Sequence, residues 1–466
     1  MNLDLLVVVI YFLVIGAVGW MGIRRANSKE AYLVAGRNLG PGLYLGTLSA
    51  VVLGGASTIG SVKLGYTYGI SGVWLCGALG LGIVVLSLVL AKPLLKLKLY
   101  TVSQVLSRRY HPAARVTSGA IMLAYDLMVA VTSIIAIGSV MQVMFGLSFS
   151  ASILLGGGLV VLYSTLGGMW SLTLTDIIQF IIMTVGMMLV LMPMSIVKAG
   201  GWEAFTSLLP AGYYQLSSIG LDTILVFFLI YFFGILIGQD IWQRVFTARS
   251  ANVARFAGLG AGVYCVLYGV TGALIGMAGK IVLPSLSNTD GAFAAIAQAV
   301  LPVGVSGLVA AAALAALMST ASACLLASST IALEDVLPAI RRKPSGGLAA
   351  GRFTTLFMGA VMLGLAFVVR DVLAALTLAY NLLVGGMLIP LVGAIFWPRA
   401  TSAGAIASML TGSLCVVGLM IWHGIDANSP IYGGGRRRRL RAGQPAEPPG
   451  AAAADPNRAL KRRGGT

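Results

Sequence analysis

Charge is what this sequence is short of. Only 10% of its 466 residues are Asp, Glu, Lys or Arg, and 14 are acidic. A soluble domain usually carries about 25% charged residues. A water-exposed globule is therefore excluded for a chain that is 58% hydrophobic. Histidine is scarcer still, with His111 and His423 both in or near loops. No Ser–His–Asp set and no phosphate-binding loop can be assembled, which speaks against an enzyme. The four cysteines, Cys76, Cys265, Cys324 and Cys415, stand isolated in apolar runs. Their spacing suits neither a metal site nor a disulfide framework, and they read as small buried hydrophobes.

What the chain has instead is apolar length, with a mean hydropathy of +0.94. Runs of roughly 20 apolar residues, each long enough to cross a bilayer as a helix, recur from end to end. Helices satisfy their own backbone hydrogen bonds in lipid. The 60 glycines suit close helix packing. The pattern predicts an all-α polytopic membrane protein with about twelve spans: 4–22, 42–68, 72–91, 117–142, 148–166, 174–197, 221–242, 257–279, 305–330, 353–369, 372–397 and 402–423. The first run is preceded by Asp4 alone and followed by Arg24 and Arg25, with no small-residue cleavage site. It reads as a retained span that starts outside, rather than a signal peptide.

The formal charge of +17 does not mark a nucleic-acid protein, because of where it sits. With the N-terminus outside, five cytoplasmic loops hold eighteen Lys or Arg, among them Arg24, Arg25, Lys96, Arg108, Arg115, Arg249, Arg341 and Arg399. The opposite side keeps Lys198, Lys280 and Arg370, with Lys63 inside a span. This asymmetry is the orientation signal of a multi-pass protein of a bacterial-type inner (plasma) membrane. Residues 434–466 form a basic, Pro/Ala/Arg-rich stretch. It reads either as a disordered tail or as a slipped reading frame that replaced a thirteenth span. The implied partners are the bilayer and a small organic solute, with no nucleic acid and no obligatory protein partner.

Two segments stand out within the spans. The second span contains Gly54-Gly55 followed by Ser57 and Thr58, a poor sequence for an uninterrupted helix. A break there frees carbonyls able to hold a cation, though close helix packing through small residues reads equally well. In the ninth span, Ala316, Ser319 and Thr320 fall three and four apart and so share one helix face. One carbonyl and two hydroxyls suit a hard cation, although such hydroxyls commonly bond back to their own helix.

These segments, with the Gly167–Gln179 stretch GGMWSLTLTDIIQ, GQDIWQR at Gly238–Arg244 and AALMSTASACLLASST at Ala315–Thr330, resemble the sodium:solute symporter family over residues 5 to 423. The resemblance implies a LeuT-like fold of two inverted five-helix repeats. These would be a first repeat at 40–200 and a second at 220–397, with an extra N-terminal helix (1–25), an additional helix (400–425) and the basic tail. It implies Na+ as coupling ion, held by the carbonyls of Ala50, Leu53 and Ala316 and the hydroxyls of Ser319 and Thr320. It also places Asp176 on the inward ion path. The family's proline member carries an acid in its second span where this chain has Val52, which weakens any transfer of proline specificity.

Acids inside spans are functional candidates by default. Asp126, mid-way along the fourth span, needs a cation: a substrate amine, sodium, a proton, or Lys63. Asp240 is expected to pair with Arg244 at the i+4 spacing, and Glu334 and Asp335 to be solvated or gate-pairing charges. The expected solute pocket comprises Ser57, Thr58, Asp126, Gln239 and Asn381, with Tyr66 and Trp242 as outer and inner gates. The function these features predict is sodium-coupled import of a small organic solute by alternating access. A sodium-independent or proton-coupled carrier of the same fold, or a membrane solute sensor, are the rival readings.

Overall fold

Amides and carbonyls that face lipid find no water, so the chain closes its hydrogen bonds within helices. The computed structural model describes residues 3–286, 289–342, 344–369 and 372–423, and the expected tail lies outside them. Twelve helical segments matter here. They are α1 (Leu3–Ile23), α2 (Pro41–Val52), α3 (Ala56–Leu97), α4 (Pro112–Phe145), α5 (Phe149–Lys198), α6 (Leu221–Ile237), α7 (Gln239–Val245), α8 (Ala251–Val282), α9 (Val305–Ile340), α10 (Leu348–Val368), α11 (Val372–Phe396) and α12 (Ser402–His423). Among the described residues the one β pairing is an isolated bridge, Leu39 to Ala248. Among the described residues nine helices are long and apolar enough to cross a membrane, or ten if the bent α6–α7 pair is one span.

Two of the longest helices turn back on themselves. In α3 the reversal falls at Gly69, with φ +68°. A Cβ built on Gly72 would lie 2.7 Å from the amide nitrogen of Gly65, so the chain packs backbone to backbone just beyond the turn. In α5 it falls at Gly168, with φ +52° and ψ −140°, a conformation open to glycine and costly for other residues. Tyr163 and Thr175, on either side of that turn, both face Gly19 of α1. The 221–242 span, expected as one helix, is broken at Gly238, whose ψ of 132° is extended. The axes of α6 and α7 meet there at 46°.

The innermost element is α9, 94% buried over its most apolar window, against 17% for α12. Its alanine run, Ala310–Ala313, lets α1, α4, α5 and α10 close in around it. Its start is capped from outside the helix: Asp4 Oδ1 of α1 accepts from the amides of Gly304 (2.6 Å) and Gly307 (2.7 Å), a carboxylate at the positive end of the helix. Its far end is clamped by ion pairs. Glu334 meets Lys29 at 2.6 Å and Asp335 meets Arg115 at 2.6 Å, so both acids are paired rather than solvated. The lipid-facing side carries exposed apolar side chains such as Leu13, Trp20 and Leu414. Elsewhere α3 and α8 touch through glycine. A Cβ on Gly80 would stand 2.6 Å from the Gly262 carbonyl, and one on Gly262 would stand 2.7 Å from that of Gly80.

Candidate ion and solute site

The site begins where α2 ends. Leu53 leaves helical geometry at φ −91°, ψ 56°, and helix resumes at Ala56 in a widened turn. Ser57 Oγ donates to the Val52 carbonyl at 2.9 Å, and Thr58 Oγ1 lies 3.4 Å from that of Leu53. Gly54 and Gly55 are needed because α9 presses on the break. A Cβ on Gly54 would lie 2.5 Å from Thr320 Oγ1, and one on Gly55 2.6 Å from Leu317 Cδ2.

The hydroxyl face of α9 meets this interruption directly. Ser319 Oγ lies 2.8 Å from the Ala50 carbonyl and 2.9 Å from that of Ala316. Thr320 Oγ1 lies 2.9 Å from the Val51 carbonyl and 3.3 Å from that of Ala316. Each hydroxyl has one proton to donate, so two carbonyls compete for it. The arrangement gathers neutral oxygens from two elements 269 residues apart, the donor type a hard monovalent cation prefers. Ala50, Ala316, Ser319 and Thr320 meet here, and Leu53 closes α2 at the same break. Val51 joins them through its carbonyl, a backbone role without a side-chain signature.

Beside this junction lies a cavity of about 600 Å³. Ser57, Thr320, Thr132 and Ser133 line it with hydroxyls, Tyr231 and Tyr380 with rings, and Lys63 and Asp240 with charge. Other residues expected in the pocket point elsewhere. Gln239 is spent on backbone, accepting from Val102 N at 2.8 Å and donating to the Tyr100 carbonyl at 2.9 Å. The Thr58 hydroxyl lies 3.1 Å from that of Tyr268, and none of Thr58, Asp126 and Asn381 lines the cavity. Tyr66 fastens the segment after α8, donating to the Leu283 carbonyl at 2.6 Å. Trp242 is fully buried against Phe246 and donates to the Leu236 carbonyl at 2.9 Å.

The acids are arranged differently from the local spacing. Arg244 faces Asp176 at 3.4 Å, with both side chains fully buried, and Thr47 also donates to Asp176. The expected Asp240–Arg244 pair is thus replaced by one spanning 68 residues. Asp240 and Arg244 keep the i+4 spacing on α7, but the guanidinium makes its ion pair across the helix packing, with Asp176. Asp126 is fully buried and accepts no hydrogen bond among the described residues, so it is not held by Lys63. Its neighbours are Asp240 and Cys324, with ligand atoms all within 4.8 Å of one another.

A buried polar face against an interrupted helix, beside a solute-sized cavity in an all-helical apolar chain, has the form of a membrane carrier. Comparison with known proteins places it more closely. The description "Sodium:solute symporter family" matches residues 32–412, and the chain belongs to that family. Sodium/proline symporters of Staphylococcus aureus (strains JH9 and N315) are 26% identical over 453 residues, covering 90% of this chain and 86% of theirs. A Na+-coupled sialic acid symporter, in a substrate-bound outward-open state, superposes with a TM-score of 0.80 at 18% identity, covering 94% of this chain and 98% of that one. A nucleobase-cation-symport-1 family transporter, in a closed conformation with bromovinylhydantoin bound, reaches 0.51 at 12% identity over 88% of this chain and 98% of the other. The protein is a multi-pass membrane transporter, not an enzyme.

Proposed function

We propose that this protein imports a small organic solute, driven by Na+ bound where α2 breaks against α9. The observation that carries this reading is the pair of hydroxyls, Ser319 and Thr320, held at 2.8 and 2.9 Å from carbonyls of the interrupted helix. In the bound state the carbonyls of Ala50, Leu53 and Ala316 and the two hydroxyls turn their oxygens to the ion. The hydroxyl protons then point away from it. Solute occupies the cavity alongside, and Asp176, with Thr47 and Arg244, lies on the route by which sodium leaves. One ion thereby ties two bundles together. Coupling requires that sodium favour the solute-competent arrangement by some kcal/mol.

Counting each reversal at Gly69 and Gly168 as two crossings, and the broken helices α2–α3 and α6–α7 as one each at their breaks, gives twelve. The two five-helix repeats are assigned to 40–200 and 220–397, with the N-terminus outside. Broken helices near the start of each repeat support that division, since such breaks line midplane sites in this kind of fold. Counterflow of labelled solute in proteoliposomes tests the function. Sodium-dependent exchange is the expected result, and uptake unchanged when sodium is replaced by choline would overturn it.

A further inference from the structure

Asp126 and Asp240 are two carboxylates 0% and 5% exposed, in a part of the molecule where an ion without a partner is expensive. Both oxygens of Asp126 and Oδ1 of Asp240 accept no hydrogen bond among the described residues. Among the same residues Asp240 Oδ2 accepts only from the Cys324 thiol, at 3.9 Å, and the guanidinium at hand, Arg244, acts on both acids from a distance while its ion pair is with Asp176. The two acids come from α4 and α7, and Asp240 also lines the cavity. The wall next to them is aromatic. Tyr380 packs edge-on to Tyr125 at 5.3 Å and to Tyr231 at 5.2 Å, and Tyr231 and Tyr380 line the same cavity.

We infer that the Asp126–Asp240 pair, with the Tyr231–Tyr380 wall, is the seat for a positively charged nitrogen of the transported solute, so that the substrate is an organic amine or ammonium compound. The inference rests on reading the cavity as the solute site. An alkali ion is the poorer fit. It would want five or six oxygens, whereas the third atom of this cluster is the Cys324 thiol, a soft ligand. A nitrogen cation needs fewer contacts. Asp240 meets it from the cavity, Asp126 adds a second negative charge from behind, and tyrosine faces attract it through their ring quadrupoles.

The test uses the purified full chain in detergent and reads thermal stability. Pyrrolidinium and tetramethylammonium are each compared with a neutral compound of similar size, cyclopentanol and tert-butanol, with and without sodium. A ligand of the native state raises the melting temperature. The expected result is a shift with the cations and none with the neutral compounds. In Asp240→Asn the apparent affinity for the cations falls at least about thirtyfold, as for a buried charge pair losing one partner. The sodium-only shift remains in that variant. Because the cation-against-neutral contrast is read on the unaltered protein, failure of the variant to fold leaves the test standing.

Equal shifts with neutral compounds, or no shift with either cation, overturn the inference. So does a sodium-only shift that disappears in Asp240→Asn, which would make the pair a metal site. A cation response with no sodium response supports it and overturns the sodium site instead.

Discussion

At the scale of single residues, the ion site makes the sharpest demand. Ser319→Ala and Thr320→Ala each remove one oxygen from the α2–α9 junction and leave buried carbonyls short of a donor. Each is expected to raise the sodium concentration for half-maximal uptake by roughly tenfold to a hundredfold, from a typical cost of about 1–3 kcal/mol for an orphaned buried group. Sodium titration of uptake in proteoliposomes measures this, and an unchanged midpoint would remove these hydroxyls from the coupling. Gly54→Ala sets a methyl 2.5 Å from Thr320 Oγ1, and is expected to abolish uptake while the protein still purifies as a monodisperse species. The Ala316, Ser319 and Thr320 face was readable in advance because helical spacing is a local property. The partners of Arg244 and Gln239 were not readable, because their contacts lie 68 and 137 residues away in sequence.

Among the elements, the turns carry the strain. Gly168→Ala forces a side chain into φ +52° and against Tyr32. A cost of about 2–4 kcal/mol is expected, combining backbone strain with displacement of a buried neighbour. A lower melting temperature in detergent would register it. Asp4→Asn, which removes the charge capping α9, should destabilise by about 1 kcal/mol, and a drop comparable to that of Gly168→Ala would argue against simple capping. The long apolar runs gave away nearly every helix, because a bilayer permits little else. The glycine pair also marked the interruption of the second span. The break at Gly238 went unseen, since a single glycine followed by Gln-Asp-Ile-Trp looks like ordinary helix until the extended ψ appears.

The whole molecule is held at one end of α9 by two ion pairs, Lys29–Glu334 and Arg115–Asp335, that join segments 305 and 220 residues apart. Lys29→Glu should slow counterflow by favouring separation of these segments, and Lys29→Glu with Glu334→Lys should restore part of it. A double variant no better than the single one would show that the pair does not gate. Nothing in the local sequence at Lys29 or Glu334 announces this partnership, although the surplus of basic residues in alternate loops foretold which loops would carry such charges.

The glycine seam between α3 and α8 has a mechanical corollary. Where the main chains of two rods meet with no side chain between them, sliding one along the other drives carbonyl into carbonyl. Those rods therefore behave as a single girder, and any tilting that admits or releases cargo has its pivot elsewhere.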